Sequence, residues 1–121
     1  MPAKILICDN TDGFRLQLQA GFERAGLAVA TCASWEQVAD AAERERPDAI
    51  LADLAMPTFD VEQLVRVRQV APDAVLAVLS TAEGNGFHDT EEGIGGIDLV
   101  LSRRDPLERI VEELAGRLNR A

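Results

Sequence analysis

The sequence predicts an α/β fold in which a doubly wound, five-stranded parallel sheet carries helices on both faces. Short β-rich runs alternate with amphipathic segments along the whole chain, and almost no residues remain for loops. This alternation is typical of parallel sheets whose strands are joined by right-handed helical crossovers. The 121 residues contain no repeat or linker, so we expect a single domain over residues 1–121.

The strands are predicted from short apolar runs that end in polar or turn-forming residues. They cover residues 4–8, 27–32, 48–53, 74–80 and 97–102. Five such units commonly adopt the flavodoxin-like strand order 2-1-3-4-5. The first and third strands then lie side by side at the switch point of the sheet.

The first two helices are predicted from apolar residues at helical spacing and from local stop and start signals. The first covers residues 15–25, and Gly26 ends it. The second begins with a capping box formed by Ser34 and Gln37 and continues to about Glu45.

Aspartates mark the starts of three helices. Asp12, Asp60 and Asp105 are each assigned as a helix N-cap, and Pro106 suits the first position of the last helix. Between the fourth and fifth strands, the glycines from Gly84 to Gly96 disfavour a long helix. We expect only a short helix near residues 87–92.

Composition and charge exclude several classes of function. The formal net charge is −9 and the sequence pI is about 4.5, so we expect no direct nucleic-acid binding. No apolar run is long enough to span a membrane, and no secretory signal is present, which favours a cytoplasmic protein. Cys8 and Cys32 lack metal-ligand spacing and fit two small buried thiols in a reducing compartment.

Polar residues follow the ends of four predicted strands. Asp9 and Asn10 follow the first, Asp53 ends the third, Ser80 ends the fourth and Arg103 follows the fifth. Ligands of such sheets bind beyond the carboxyl ends of the strands. Two carboxylates, an amide, a hydroxyl and a guanidinium are suited to hold Mg²⁺ and a phosphoryl group. The two carboxylates should repel each other unless a cation or donor lies between them.

Other interpretations of these motifs are weaker. A calcium-binding loop after the first strand fails because its oxygen ligands do not recur at the required positions. A phosphatase of the haloacid dehalogenase type needs a second acid at position 11, where the chain has Thr11. The glycines at 84–96 do not follow the first strand, so no dinucleotide fingerprint and no organic cofactor are expected.

Four segments resemble the receiver domain of two-component response regulators. KILICDN resembles the strand of that family that ends in an acidic pair, and DAILADLAMPTFD resembles its phosphoacceptor segment. LSTA resembles the end of its fourth strand, and GIDLVLSR resembles the stretch that leads to its lysine. The resemblance covers all five predicted strands.

The resemblance implies specific roles and partners. Asp53 would accept a phosphoryl group from a phosphohistidine, and Asp9 and the carbonyl of Ala55 would join Asp53 as Mg²⁺ ligands. Ser80 would hydrogen-bond the acyl phosphate. The implied partners are a sensor histidine kinase or phosphotransfer protein and a downstream effector protein or domain; a homodimer is left open.

Four positions depart from the family pattern. Asn10 replaces the second acid, which should weaken Mg²⁺ binding. Arg103 occupies the position of the lysine, although a second alignment would place Ser102 there. Arg104 replaces the following proline, and Val100 replaces the switch aromatic. Arginine keeps the positive charge but not the compact geometry of an ammonium group.

These departures leave three hypotheses. The first is a receiver that is phosphorylated on Asp53 with weakened Mg²⁺ binding. The second is a pseudo-receiver that acts as a protein-interaction module without phosphorylation. The third is a small Mg²⁺-dependent hydrolase, which the retained Asp9, Asp53 and Ser80 disfavour; we therefore expect no enzyme beyond self-phosphorylation. Switching is expected to order the Gly84–Gly96 segment.

Overall fold

The central element is a parallel sheet with the strand order β2-β1-β3-β4-β5. The computed structural model describes residues 2–56, 59–80 and 97–118. In these ranges the strands are β1 (Lys4–Cys8), β2 (Ala28–Cys32), β3 (Ala49–Asp53), β4 (Val75–Ser80) and β5 (Leu99–Ser102). The predicted fold class and strand order are confirmed.

Helices cover both faces of the sheet. Across the described residues they are α1 (Asp12–Arg24), α2 (Trp35–Glu45), α3 (Val61–Val70) and α4 (Leu107–Leu118). Helices α1 and α4 pack on one face, and α2 and α3 pack on the other. Side chains of β1 alternate between these two cores: Ile5 and Ile7 face α1 and α4, whereas Leu6 and Cys8 face α2 and α3. Within the described part of the chain, no helix is both long and apolar enough to cross a membrane.

The start of α1 differs from the prediction. The helix begins at Asp12, and Thr11 occupies the N-cap position in extended backbone, so the assignment of Asp12 as the N-cap is wrong. The Arg15 backbone nitrogen donates to the Thr11 carbonyl at 2.9 Å, which adds a turn before the predicted start. The Arg15 guanidinium also contacts the Asp12 carboxylate and the Asp9 carbonyl. Asp12 therefore lies in the first turn, where a carboxylate is favourable near the positive end of the helix dipole.

The start of α2 also differs in its bonding. Ser34 occupies the N-cap position, but its side chain makes no capping hydrogen bond. Gln37 Oε1 instead accepts a hydrogen bond from the Ala33 backbone nitrogen at 3.0 Å. The predicted reciprocal capping box is therefore wrong, although α2 ends at Glu45 as expected. The Asp60 cap of α3 is confirmed, since its Oδ1 accepts a hydrogen bond from the Gln63 nitrogen at 2.8 Å.

Strands β2 to β5 and helix α4 begin one or two residues later than predicted. Strand β5 begins at Leu99 because the carboxylate of Asp98 accepts hydrogen bonds from the Leu76 nitrogen and from Arg68, each at 2.9 Å. Helix α4 begins at Leu107, one residue beyond the predicted proline position. The predicted short helix near residues 87–92 and the Gly84–Gly96 segment lie outside the described residues.

Candidate functional site

Two buried carboxylates lie at the ends of adjacent central strands. Strands β1 and β3 pair in parallel, and Cys8 lies opposite Ala52. Asp9 directly follows Cys8, and Asp53 directly follows Ala52. The two aspartates are 0% and 1% exposed. The parallel register therefore brings two acids into the same buried corner, as the strand order predicts.

Arg103 joins the two carboxylates. Its Nη1 donates to Asp9 Oδ2 at 2.7 Å and to Asp53 Oδ2. Its Nη2 donates to Thr11 Oγ1 at 3.2 Å, and the guanidinium carbon lies 4.3 Å from the centre of the Phe14 ring. The arginine is therefore held by two charged hydrogen bonds, a hydroxyl and an aromatic face. We refer to Asp9, Asp53 and Arg103 as the acidic pocket.

Backbone nitrogens bind the remaining carboxylate oxygens. Asp9 Oδ1 accepts from the Thr11 nitrogen at 2.7 Å, and Asp53 Oδ1 accepts from the Ala55 nitrogen at 2.8 Å. Each carboxylate thus has one oxygen bonded to a turn of the backbone and the other bonded to Arg103. This arrangement fixes the orientation of both side chains and compensates part of the cost of burying them.

The pKa of Asp53 is raised above its ordinary value. Burial is the largest cause, because a desolvated carboxyl group disfavours its charged form. The Ala55 N–H and the Arg103 charge oppose this effect and favour the carboxylate, while neighbouring Asp9 raises the pKa further. Asp53 therefore holds its proton more tightly than an exposed aspartate would.

Trp35 fixes the backbone of Asp53 from the other side of the sheet. Its Nε1 donates to the Asp53 carbonyl at 2.8 Å, and the side chain is only 1% exposed. The ring packs on Phe59 with the ring centres 5.0 Å apart and the planes tilted by 60°. Trp35 is a packing residue, and it also links the start of α2 to the end of β3.

The other predicted site residues lie at the rim of this corner. Ser80 is buried at the end of β4, and its carbonyl accepts a hydrogen bond from the Arg103 backbone nitrogen at 2.9 Å. Asn10 and Ala55 are both exposed. The Ala55 backbone nitrogen donates a hydrogen bond to Asp53, so Ala55 contributes a hydrogen-bond donor to the pocket.

The chain matches the response regulator receiver domain family over residues 5–114. The chain belongs to this family. Sporulation initiation phosphotransferase F of Bacillus subtilis is 31% identical to the receiver over 84 residues, which cover 69% of this chain and 68% of that protein. The receiver spans about half of a longer relative, the response regulator MprA of Mycolicibacterium vanbaalenii.

Solved structures share the fold of the receiver at low sequence identity. A CheY-like response regulator receiver domain from Methanospirillum hungatei superimposes with a TM-score of 0.87 at 16% identity, covering 99% of this chain and 96% of that one. A response regulator from Burkholderia pseudomallei superimposes with a TM-score of 0.81 at 22% identity, covering 98% and 71%. That structure contains a phosphorylated aspartic acid, a calcium ion and citrate.

The donor set of the receiver suits Mg²⁺ only in part. Two carboxylates are sufficient for a hard cation that keeps several waters. However, no cluster of three or more His, Cys, Asp or Glu side chains among the described residues is arranged to hold a metal. Arg103 also lies between the two acidic oxygens, and its charge neutralises one of the two negative charges. A metal could use Asp9 and Asp53 if the guanidinium shifted.

Sequence reasoning missed three residues that support the acidic pocket of the receiver. Thr11 donates its backbone nitrogen to Asp9 and accepts from Arg103, Phe14 packs under the guanidinium, and Trp35 holds the Asp53 carbonyl. A polar residue at position 11 and an apolar residue in the first turn of α1 are weak signals. The roles of these two residues become clear only from the position of the Arg103 side chain in the fold.

Proposed function

We propose that the receiver, as one unit over residues 1–121, accepts a phosphoryl group on Asp53. The observation that carries this proposal is the position of the Asp53 carboxylate at the end of β3, where Arg103 bridges it to Asp9. The donor would be the phosphohistidine of a sensor histidine kinase or of a phosphotransfer protein. An oxygen–phosphorus bond would form to Asp53 as the phosphorus–nitrogen bond breaks, and the imidazole would leave with the bonding electron pair.

The surrounding groups are suited to stabilise the transferred phosphoryl group. Arg103 would turn from Asp53 Oδ2 to a phosphoryl oxygen, because a guanidinium donates to both carboxylate and phosphoryl oxygens. The Ser80 hydroxyl would supply a second donor, and the Ala55 nitrogen would continue to hold Asp53 Oδ1. The phosphoryl group carries roughly −1.5 to −2 charges at pH 7 in place of the single carboxylate charge of Asp53, which attracts Arg103 toward it.

We further propose that Mg²⁺ binds weakly beside Asp53. Asp9 and Asp53 would supply carboxylate oxygens, Asn10 an amide oxygen and Ala55 its carbonyl. When bound, the metal would neutralise charge on the phosphoryl oxygens. Its binding is weakened because Asn10 lacks a charge and because Arg103 already pairs with both acids.

The proposed weakness of Mg²⁺ binding is tested by the variant Asn10→Asp. We expect this variant to bind Mg²⁺ more tightly than the wild type, as measured by the Mg²⁺-dependent rise in the urea midpoint of unfolding. Gln69→Glu is the matched control, since it adds the same charge at an exposed position near the end of α3. An equal rise in both variants would show that the added charge acts only at long range.

The acceptor role is tested with a small phosphoryl donor. The protein is incubated with Mg²⁺ and acetyl phosphate, and its intact mass is measured. We expect one added phosphoryl group in the wild type and in Asp73→Ala, whose changed residue is exposed, and none in Asp53→Ala. Circular dichroism establishes that each variant is folded. An adduct that persists in folded Asp53→Ala would contradict the proposal.

A phosphorylation-independent pseudo-receiver is the second candidate. It is favoured by the Arg103 bridge, which already gives the two acids a cationic partner. This candidate predicts no adduct with acetyl phosphate and equal partner binding by the wild type and Asp53→Asn. For both candidates we propose that the chain is cytoplasmic and binds an effector protein or domain rather than nucleic acid. We also propose that it does not turn over a substrate as an enzyme and that it can form a homodimer.

A further inference from the structure

The only two cysteines of the chain are direct partners in the sheet. Cys8 and Cys32 form the last residue pair of the parallel ladder between β1 and β2. Adjacent strands lie about 4.8 Å apart, which is within the Cα separation of about 4.4–6.8 Å that a disulfide requires. The register therefore gives the two backbones a spacing that a disulfide can span.

The two side chains also point to the same side of the sheet. Both belong to the core between the sheet and helices α2 and α3. Cys8 Sγ donates a hydrogen bond to the Ser34 carbonyl at 3.2 Å. Formation of a disulfide between the two thiols would replace this weak contact and leave the strand backbones paired.

The two thiols differ in their access to solvent. Cys8 is buried, whereas Cys32 is partly exposed. Cys32 lines a surface cavity of about 350 Å³, together with Glu36, Gln37 and Arg44. A small oxidant can therefore reach Cys32 first, while Cys8 is protected but lies next to it.

We propose that Cys8 and Cys32 are a thiol pair that a hydroperoxide oxidises to an intramolecular disulfide. The Cys32 sulfur attacks one peroxide oxygen, the oxygen–oxygen bond breaks, and Cys32 becomes a sulfenic acid as water is released. The Cys8 sulfur then attacks the Cys32 sulfur, and the sulfenic oxygen leaves as a second water with the Cys8 proton. Two thiols and one hydrogen peroxide give one disulfide and two waters; the sulfurs lose two electrons and the peroxide gains them.

This bond would act directly beneath the acidic pocket. Asp9 follows Cys8 in the chain, and its backbone nitrogen donates to the Cys32 carbonyl at 3.2 Å. A disulfide would tether the ends of β1 and β2 at the residue before Asp9. Its formation does not require phosphorylation of Asp53, so it can be tested independently of the proposed function.

The test uses the full chain, reduced and then treated with hydrogen peroxide over a series of doses. Remaining thiols are blocked with a maleimide under denaturing conditions, and the intact mass is measured. We expect a monomer that is lighter by two hydrogen atoms, takes up no maleimide and is restored by dithiothreitol. Because the chain has no other cysteine, this mass identifies the pair.

Two single variants assign the order of reaction. Cys8→Ser should accumulate a sulfenic acid on Cys32 that dimedone traps, and Cys32→Ser should leave Cys8 unreactive at the same peroxide dose. The proposal would be overturned by a wild-type monomer that gains oxygen while both thiols still react with maleimide. Disulfide-linked dimers as the only product would also overturn it.

Discussion

Replacement of Arg103 by alanine should destabilise the protein by removing the cation between two buried acids. The side chains of Asp9 and Asp53 are 0% and 2% exposed, and that of Arg103 is 22% exposed. Removing one partner of a buried ion pair costs about 3–5 kcal/mol, chiefly because the other charge remains buried without compensation. Since Arg103 is partly in contact with solvent, we expect a loss near the lower limit, about 3 kcal/mol at about pH 8.

The cost should become smaller as the pH falls. The pKa of folded Asp53 is raised above its ordinary value of 3.8. Between these two pKa values the folded state holds a proton that the unfolded state has released. The free energy of unfolding therefore decreases as the pH rises from 3.8 to the folded pKa. Loss of the Arg103 charge should raise the pKa of Asp53 further and extend this range upward. Inside that range, each proton taken up on folding raises the free energy of unfolding by about 1.4 kcal/mol for every pH unit that the pH falls.

The free energy of unfolding is measured in urea for the wild type, Arg103→Ala and Arg104→Ala, each at about pH 8 and about pH 5. One pH unit corresponds to about 1.4 kcal/mol per proton. Arg104→Ala is the matched control because it removes the same charge from the adjacent, exposed residue. We expect a large, pH-dependent loss only for Arg103→Ala. Equal losses for the two variants, or a loss for Arg103→Ala that does not change with pH, would show that the buried acids do not depend on the Arg103 charge.

Two further pairs of variants test the local structure by urea unfolding followed by circular dichroism. Asp60→Ala should lower the free energy of unfolding by about 1 kcal/mol because it removes the observed cap of α3. Ser34→Ala should cost less, since that side chain makes no capping bond; equal losses would contradict the assigned caps. Gly116→Ala should stabilise α4 by about 0.5–1 kcal/mol, because nothing lies within 4 Å of the added carbon. Gly21→Ala should raise the free energy of unfolding by less, because its added carbon would lie 3.0 Å from a methyl group of Val111. An equal increase in the two variants would contradict this packing.

The strands could be predicted from sequence because their signals are local. The run that forms β3 is apolar up to Asp53, and every one of its residues is buried. The strand order then follows from the alternation of strands and helices, and it places Asp9 beside Asp53. Errors occur at element ends, where single hydrogen bonds decide. The Asp98 carboxylate accepts from the Leu76 nitrogen before β5, and the Arg15 backbone nitrogen donates to the Thr11 carbonyl at the start of α1.

The details of the acidic pocket could not be predicted in the same way. Arg103 is 94 residues from Asp9 in sequence and 50 from Asp53, so its contacts depend on how far a long side chain reaches across three strand ends. The sequence predicts a cation near this corner but not that one nitrogen contacts both acids. Likewise, Trp35 reads as a packing residue, and only the fold directs its Nε1 to the Asp53 carbonyl.

Reduction with borohydride shows whether the buried carboxylate of Asp53 is the group that accepts the phosphoryl group. Borohydride converts an aspartyl phosphate to homoserine, which tandem mass spectrometry can locate within residues 48–60 after treatment with acetyl phosphate. Asp48 and Asp60 are exposed and serve as internal controls in the same segment. We predict homoserine at position 53 and unmodified aspartate at both controls. Homoserine at either control, with Asp53 unchanged, would contradict the assignment of Asp53 as the acceptor.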